Sequence, residues 1–422
     1  MEKSCSYGGK DIHGIGETMN VIHVYDEYGP VLGGGSAPTV VLNLSKVMVK
    51  WGHDVTVIER RHENEPLGEE VDGVKFVRVK AKKRVPYPSK GLESPVGVLR
   101  LLIDGIEFSL KVRKYLVNND FDVVHVHFPF ATSILATMDK KLRNKMIYTA
   151  HIGEEGKRLK LSSDVPLLLR LFSPDLYLMK QVKKTVVLNE SLKAKLIEKG
   201  IDEEKLVVVP NGINVDDFGN FSKDVVNRIK EKYGIVGKIT IMFAGSITPR
   251  KGVDYLVRAA EMILRDGHKD VLFLLVGSFK YNEEFANRIV RYVRSRGLEE
   301  NVKFTGFVPY EDLKVLYQAC DVFVLPSFGE GDPIALKEAL ASGKPLIGSN
   351  VGGIPTQIRD GWNGFLVEPA NEKQLAEKIR YLIENEEERT RMGRNSRKLA
   401  EEEFDWKKIA ERYLKVYEEV GE

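Results

Sequence analysis

Residues 322–348 read VFVLPSFGEGDPIALKEALASGKPLIG, and this stretch indicates the fold class. The apolar run Val322–Leu325 is typical of a buried strand, and a loop rich in Gly and Pro follows it. A helix is predicted to start near Pro333, because proline is favoured in the first helical turn. A second apolar run, Pro345–Gly348, comes after the helical pattern. Strand, helix and strand in succession predict two parallel strands joined by a crossover helix.

The same alternation runs through the rest of the chain. We predict the remaining strands at ten apolar runs: Val21–Tyr25, Asp54–Ile58, Val74–Val79, Asp122–His127, Lys145–Thr149, Thr185–Leu188, Leu206–Val209, Lys238–Ala244, Val271–Val276 and Val302–Thr305. Short strands that alternate with helical patterns indicate an α/β fold with mostly parallel sheets.

The pattern is interrupted once, by the turn signature PNGI at residues 210–213 and a polar stretch that ends at Lys223. We therefore predict two tandem, doubly wound α/β domains, at residues 20–210 and 211–402. A final amphipathic helix at 403–422 is expected to cross back to the first domain. Two such domains place the carboxyl ends of their strands around a cleft, which is the expected ligand site.

Glu330 and Glu338 are the first candidate site residues. Glu330 lies in the loop before the predicted helix, and Glu338 lies about one and a half turns into it. The N-terminus of a helix is suited to bind an anion, and a carboxylate beside it is suited to hydroxyl groups of a sugar or ribose. The alternative is that both are ordinary surface carboxylates of the helix.

Arg250 and Lys251 form a second candidate site, in the sequence FAGSITPRKG at residues 243–252. Two adjacent cations at the carboxyl end of a strand can hold a diphosphate, Arg as a fork and Lys as a point charge. The alternative is a solvated pair on the surface, but the position beside the expected cleft favours a functional role.

At this point the chain resembles glycosyltransferase family 4, whose members are retaining enzymes with the GT-B fold. The resemblance extends from about Val21 to Tyr417 and is stronger in the second half. Six motifs carry it in order: residues 210–213, Gly245–Gly252, the pair Glu330 and Glu338, Asn350–Pro355, Asp360–Val367 and Phe404–Trp406.

The resemblance implies roles for individual residues. Arg250 and Lys251 would bind the donor diphosphate, Glu338 the ribose hydroxyls, and Glu330 the hydroxyls of the transferred sugar. His151 would be the active-site histidine near that sugar. The remaining donor-binding positions implied by the resemblance are glycines and a short backbone segment: Gly34, Gly35, Gly245, Gly331, Asp332, Pro333 and Ile334. Two residues depart from the family pattern, Asp332 and Lys337.

The implied reaction moves a hexose from a nucleotide diphosphate sugar, with UDP or GDP, to an acceptor hydroxyl with retained anomeric configuration. The diphosphate leaving group would carry the developing charge and take the acceptor proton, so the scheme needs no protein nucleophile, cofactor or metal. The main alternative is a nucleotide-sugar epimerase of the same architecture. A non-enzymatic binding protein is disfavoured because both His151 and Glu330 are present.

Other site classes fit the residues less well. Glu59 ends the second strand as in a nicotinamide-binding unit, but the Gly-x-Gly-x-x-Gly pattern is absent. His125 and His127 share one face of a strand and could bind a metal with His151, although hydrogen bonding along a cleft is the favoured interpretation. The Asp120-Phe-Asp122 sequence precedes a strand and is interpreted as a turn. A glycosidase needs two carboxylates that flank one bond, whereas Glu330 and Glu338 both lie on the donor side.

Composition excludes several classes of protein. Only two cysteines occur, Cys5 and Cys320, which excludes a disulfide scaffold and a cysteine-rich metal site. No apolar run reaches the roughly 18–20 residues of a membrane span, and the leader at residues 1–18 lacks the apolar core of a signal peptide. We therefore expect a cytoplasmic protein.

Charge is distributed unevenly along the chain, although the net charge is only +3. Residues 74–200 carry 25 Lys and Arg against 12 Asp and Glu, a net charge of +13. The block includes Arg78, Lys80, Lys82, Lys83, Arg84, Lys90, Lys157, Arg158, Lys160, Lys183 and Lys184. One interpretation is a solvated face balanced by acids elsewhere. The other is an anionic, phosphorylated or lipid-linked acceptor, or peripheral contact with the inner membrane surface, to which the amphipathic segment Leu92–Leu116 could contribute. Nucleic-acid binding is disfavoured because the block lacks interleaved stacking aromatics.

Overall fold

The computed structural model describes residues 17–26, 31–33, 36–61, 65–80, 95–151 and 174–421. Gly34, Gly35 and seven of the eleven basic-block residues named above (Lys82, Lys83, Arg84, Lys90, Lys157, Arg158 and Lys160) lie outside these residues, as do Cys5 and most of the leader. Within the described part, the chain forms two sheets, one in each half.

The first sheet has eight strands in the order β3-β4-β2-β1-β5-β6-β7-β8. In chain order the strands are β1 (Asn20–Tyr25), β2 (Asp54–Arg60), β3 (Gly68–Val71), β4 (Val74–Val79), β5 (Val123–His127), β6 (Met146–Thr149), β7 (Lys184–Val187) and β8 (Leu206–Val208). All neighbours are parallel except β3 and β4, which form an antiparallel hairpin at the edge. The sequence analysis missed β3 because its residues are mostly polar. The hairpin turn at Asp72 and Gly73 has positive φ at both positions, as a tight two-residue turn requires.

The second sheet has six strands, all parallel, in the order β11-β10-β9-β12-β13-β14. They are β9 (Ile239–Ala244), β10 (Val271–Val276), β11 (Val302–Gly306), β12 (Val322–Leu325), β13 (Leu346–Ser349) and β14 (Gly364–Val367). Five were predicted within one or two residues. The strand β14 was not, because its apolar run, Phe365–Val367, is only three residues long.

Helices pack on both sheets. The described helices of the first half are α1 (Ser36–Lys50), α2 (Pro95–Val117), α3 (Pro129–Met138), α4 (Lys140–Arg143), α5 (Pro174–Gln181) and α6 (Glu190–Glu198). Those of the second half are α7 (Lys223–Tyr233), α8 (Val253–Arg265), α9 (Glu283–Ser295), α10 (Tyr310–Ala319), α11 (Ile334–Ala341), α12 (Glu372–Glu384), α13 (Glu386–Leu399) and α14 (Trp406–Gly421). Buried apolar faces of these helices and the strands between them form the cores.

The chain crosses between the two sheets twice, and the two crossings are hydrogen-bonded to each other. Ile213 N donates to Phe404 O (2.8 Å), and Trp406 N donates to Ile213 O (3.3 Å). Gly212 lies under Trp406, where a Cβ would come within 2.4 Å of the indole ring. After a π-helical turn at Ala400–Phe404, the buried face of α14 packs with α1 and the first sheet. The two crossings therefore form one joint between the halves.

The helix α2 is only partly covered. Phe108, Val112 and Leu116 are buried in the first core, as core packing predicts. The opposite side exposes apolar residues at helical spacing: Val96, Leu99, Ile103, Ile106 and Leu110. In the described part of the chain, no helix combines the length and apolar character needed to cross a bilayer.

Candidate active site

The loop between β12 and α11 and the loop after β9 meet at the carboxyl edge of the second sheet. Glu330 Oε1 accepts from Lys251 Nζ at 2.6 Å and lies 3.2 Å from Arg250 Nη1. Arg250 Nη1 also donates to Gly329 O (2.7 Å), and Phe328 N donates to Arg250 O (2.8 Å). Three residues predicted for the site from two distant motifs thus form one cluster, with two cations and one carboxylate.

Gly252 allows this close approach of the two loops. Its φ is +64°, a conformation that L side chains rarely adopt, and a Cβ would lie 2.0 Å from Pro326 O. Any side chain at this position would push apart the segments that carry Lys251 and Glu330. The glycine of the Arg-Lys-Gly motif is therefore a packing requirement of the cluster.

The helix α11 begins at Ile334 directly after Pro333, as predicted, and places its N-terminus beside the Glu330 loop. The first N–H groups of a helix have no partner within the helix, so they can bind an anion. Glu338 lies further along α11 and is 6% exposed. Burial raises the pKa of Glu338 to about 7, and the hydroxyls of Tyr317 and Tyr310 beside it oppose the increase. Glu338 is therefore a carboxyl group that changes charge near neutral pH.

The Asp332 side chain points away from the cluster into the protein. Its Oδ1 accepts from Lys337 Nζ and from Gln357 Nε2 (2.7 Å), and its Oδ2 accepts from Asn211 N (2.7 Å). The two residues that depart from the family pattern are thus partners of each other. Both carboxylate oxygens of Asp332 already accept hydrogen bonds within the protein. Only the backbone of Asp332 is therefore left to contact a bound substrate.

His151 follows β6 and is hydrogen-bonded to a chain of buried histidines. His127 Nδ1 lies 2.9 Å from His151 Nε2, and His23 Nδ1 lies 2.9 Å from His127 Nε2. Burial lowers the pKa of His23 to about 3 and that of His151 to about 4, and it lowers the pKa of His127 well below its usual value. All three rings are therefore neutral near pH 7.

The favoured interpretation of these histidines, hydrogen bonding, is confirmed, but their location differs from the prediction. His23, His125 and His127 are fully buried in the sheet and do not line a cleft. His125 is bonded through Nδ1 to Tyr417 Oη (2.7 Å) and through Nε2 to Thr149 Oγ1 (2.6 Å). The grouping close enough to share a metal is His23, His125 and His127, not the predicted set with His151. Most of the nitrogens that would bind the ion are already in hydrogen bonds.

Two other predicted features have structural roles. Glu59 accepts from Val31 N (2.7 Å) and from Arg78 Nε (2.8 Å), so its carboxylate is engaged inside the domain. Asp122 Oδ2 accepts from Asn20 N (2.7 Å), so this carboxylate ties the segment before β5 to the start of β1.

The basic block is less exposed than predicted at one position. Arg78 is buried and is paired with acidic residues, Glu59 and Glu69. Lys184 is paired with Glu419 of α14 (2.9 Å). Lys80 and Lys183 are exposed. Part of the positive charge is therefore balanced by acids nearby, as the first interpretation of the block expects.

Two family models match this chain, one for each half. The model described as Glycosyltransferase Family 4 matches residues 33–217, and the model described as Glycosyl transferases group 1 matches residues 225–399. This chain belongs to the group 1, family 4 glycosyltransferases. The predicted family and enzyme class are thereby confirmed, and the activity of this glycosyltransferase is sugar transfer from a nucleotide sugar.

Similar proteins cover nearly the whole glycosyltransferase. Phosphatidyl-myo-inositol mannosyltransferase of Mycobacterium leprae is 29% identical over 391 residues, 92% of this chain and 94% of the relative. Sucrose-phosphate synthase of Thermosynechococcus elongatus is similar in structure, with a TM-score of 0.73, 21% identity and coverage of 95% and 99%. HepE of Anabaena, in complex with UDP, has a TM-score of 0.71, 19% identity and coverage of 95% and 100%. At these identities the two structures confirm the fold, GT-B. These comparisons do not favour the epimerase alternative.

Sequence analysis missed three residues that hold the site. Asn189 caps α6 by accepting from Leu192 N and donates Nδ2 to Gly331 O (2.5 Å). Asn211 N reaches Asp332, and Tyr310 lies beside Glu338. The signal for Asn189 was visible as a helix cap, but no local pattern shows that a cap also contacts a loop 142 residues away.

Proposed function

We propose that this glycosyltransferase transfers a hexose from a UDP- or GDP-sugar to an acceptor hydroxyl with retained anomeric configuration. The observation that carries the proposal is the cluster of Arg250, Lys251 and Glu330 beside the N-terminus of α11. Glu330 contacts both cations there, so the guanidinium and the ammonium lie side by side at the N-terminus of α11, where they could bind a diphosphate together. The same contacts hold Glu330 beside the two cations, which supports a role for its carboxylate in contacting the sugar attached to that diphosphate.

Each residue of the site has a task in this scheme. Arg250, Lys251 and the α11 N-terminus hold the diphosphate, and Glu338 accepts hydrogen bonds from the ribose hydroxyls. Glu330 and the backbone of Gly331 to Ile334 contact the sugar. Gly245 and the first-loop glycines, Gly34 and Gly35, leave room for the donor, and His151 faces the sugar from the first domain.

The chemical step exchanges one bond at the anomeric carbon for another. The bond from the anomeric carbon to the phosphate oxygen breaks, and a bond to the acceptor oxygen forms on the same face. The acceptor proton passes to the departing phosphate oxygen. The fixed cations and helix N–H groups stabilise the charge that develops on the diphosphate, so no covalent sugar–enzyme intermediate is needed.

For the acceptor, we propose a phosphorylated or lipid-linked molecule that binds on the first domain. The net charge of +13 over residues 74–200 supports an anionic acceptor. The names of two similar proteins, a phosphatidyl-myo-inositol mannosyltransferase and a sucrose-phosphate synthase, refer to phosphate-bearing compounds. Direct contact with a membrane stays a prediction that neither the structure nor the comparisons support.

A thermal-shift panel of UDP- and GDP-sugars, followed by product analysis with the best donor, tests the proposal. We expect one nucleotide class to raise the Tm, and Lys251→Ala to reduce the shift while leaving the protein folded. Sugar transfer should then depend on an added acceptor. A chain that binds no nucleotide sugar, or that releases 2-epimerised sugar without an acceptor, would contradict the proposal.

A further inference from the structure

The histidine chain behind His151 uses a defined nitrogen at each contact. The outer contact joins His151 Nε2 to His127 Nδ1, and the inner contact joins His127 Nε2 to His23 Nδ1, each at 2.9 Å. The rings of His127 and His151 are stacked at an interplanar angle of 24°. His127 therefore touches both neighbours with different nitrogens, and its inner partner lies on β1, the adjacent strand.

We propose that His127 is a positioning residue that fixes the tautomer and ring orientation of His151, and that His23 fixes His127 in turn. The inference rests on the proposed function, in which His151 faces the transferred sugar. A neutral imidazole offers a donor on one nitrogen and an acceptor on the other, so the tautomer decides what His151 presents to a sugar hydroxyl.

Because the three rings are neutral, the protons of the histidine chain have only two possible arrangements. Because burial keeps the pKa values of all three rings below the neutral range, each ring carries one proton. Either every proton sits on Nδ1 and points outward along the chain, or every proton sits on Nε2 and points inward. One choice at His23 therefore sets the tautomer at His151.

The inner end of the chain selects the outward arrangement. His23 Nε2 is buried, and no described residue provides it with a partner. An unpaired N–H in the interior is rarer than an unpaired acceptor, so a bare lone pair at His23 Nε2 is favoured. His23 then donates from Nδ1 to His127, and His127 donates from Nδ1 to His151. The consequence is that His151 keeps its proton on Nδ1, as a donor for a ligand hydroxyl.

The inner end of the histidine chain, at His23, also rules out a proton relay along the three rings. A relay needs a second group that releases or takes up the proton, whereas the chain ends at a buried nitrogen without a described partner. The chain can hold one tautomer, but it cannot carry a proton to solvent through His23.

Two substitutions of His127 separate its two contacts. An asparagine amide reaches about the position of Nδ1, so His127→Asn keeps a donor for His151. A glutamine amide reaches about the position of Nε2, so His127→Gln keeps the contact to His23 and loses the one to His151. His125→Asn is the matched control, because His125 is equally buried on the same strand and is bonded to Tyr417 and Thr149 instead.

The experiment combines imidazole ¹⁵N NMR of His151 with steady-state transfer kinetics. In the wild-type protein we expect a protonated Nδ1 and a bare Nε2 on His151. His127→Gln should mix the two tautomers and lower kcat by about 10²-fold, the scale of a small misplacement, without changing nucleotide diphosphate affinity. His127→Asn and His125→Asn should keep the tautomer and most of kcat.

Two results would overturn the positioning role: a wild-type His151 that already mixes tautomers, or His127→Gln with normal kcat and an unchanged His151 spectrum. The wild-type spectrum decides even if a variant does not fold. It also decides if no sugar transfer is found, so failure of the proposed function is distinguishable from failure of this inference.

Discussion

Asp332 and Lys337 form an ion pair whose side chains are sealed from solvent, at 1% and 0% exposure. Asp332 also accepts from Asn211 N in the first crossing between the sheets, and Lys337 Nζ lies 5.2 Å from the ring centroid of Phe404 in the second. The pair therefore connects the loop that carries Glu330 to both crossings between the two sheets. A buried pair of this kind is costly to break because the remaining charge has no partner.

Removing one charge of the pair should cost much more than removing both. Asp332→Asn leaves a buried Lys337 ammonium, and we expect the free energy of unfolding to fall by about 3–5 kcal/mol. Adding Lys337→Met should recover most of that loss, since the amide can still accept from Asn211 N. Urea unfolding of the two variants measures both values. Equal stability of the single and the double variant would show that the two charges do not stabilise each other.

Substitutions in the cation cluster should separate diphosphate binding from sugar transfer. Glu330→Gln removes the negative charge that Arg250 and Lys251 both contact, so nucleotide diphosphate affinity should hold or rise while kcat falls by at least about 10²-fold. Lys251→Met should weaken that affinity by about 10-fold or more, because a charged hydrogen bond contributes about 1.5–3 kcal/mol. Calorimetry and initial rates are the measurements.

The control for the cluster is Glu377→Gln, at an exposed carboxylate on α12 that is paired with the neighbouring Lys378. It should change neither quantity. If Glu330→Gln transfers sugar at a near-normal rate, the assignment of the sugar contact is wrong.

Donor affinity should rise with pH through neutrality. In the proposed function, the Glu338 carboxylate accepts hydrogen bonds from two ribose hydroxyls, which it does best when ionised. Burial raises the pKa of Glu338 to about 7. The carboxyl is therefore mostly protonated at pH 6 and mostly ionised at pH 8, and affinity should increase by about tenfold between them. Nucleotide-sugar titrations at both pH values measure the change. Glu338→Gln should bind weakly with no such slope, and a slope that persists in this variant would assign the titration to another group.

Gly252→Ala should damage the cluster beyond its backbone strain. The substitution adds strain at φ +64° and a Cβ 2.0 Å from Pro326 O. Gly297→Ala is a matched control, because its φ is +66° and nothing lies within 4 Å of its Cβ. The control should lose about 1–2 kcal/mol of stability from strain alone. Gly252→Ala should lose more and should also weaken nucleotide diphosphate binding. If both variants lose the same stability, the backbone moves away from the contact with Pro326 at no measurable cost.

Strands with apolar runs could be predicted from the sequence because burial on both faces leaves a continuous apolar signal, as in β10 and β12. The edge strand β3 leaves no such signal, since Gly68-Glu-Glu-Val71 is mostly polar. The contact between Lys251 and Glu330 could also be predicted, because each residue lies in a loop that follows the carboxyl end of a strand. These positions converge in any doubly wound sheet.

Contacts between distant segments could not be predicted in the same way. Arg78 belongs to a basic run in sequence, but β2 and the β3–β4 hairpin surround it with carboxylates. Asp332 and Lys337 carry opposite charges five residues apart and depart from the pattern that the resemblance implies, which was a usable signal for pairing. The partners of His151 depend on the register of three parallel strands, which no local pattern contains.

The central claim is that Glu330, Lys251 and Arg250 form the donor site of a retaining sugar transfer. The most direct test is the anomeric configuration of the product by NMR, with an α-configured donor and the wild-type and Glu330→Gln proteins. The account predicts an α-linked product from the wild-type protein and almost none from the folded variant. A β-linked product, or equal product from both proteins, would contradict it.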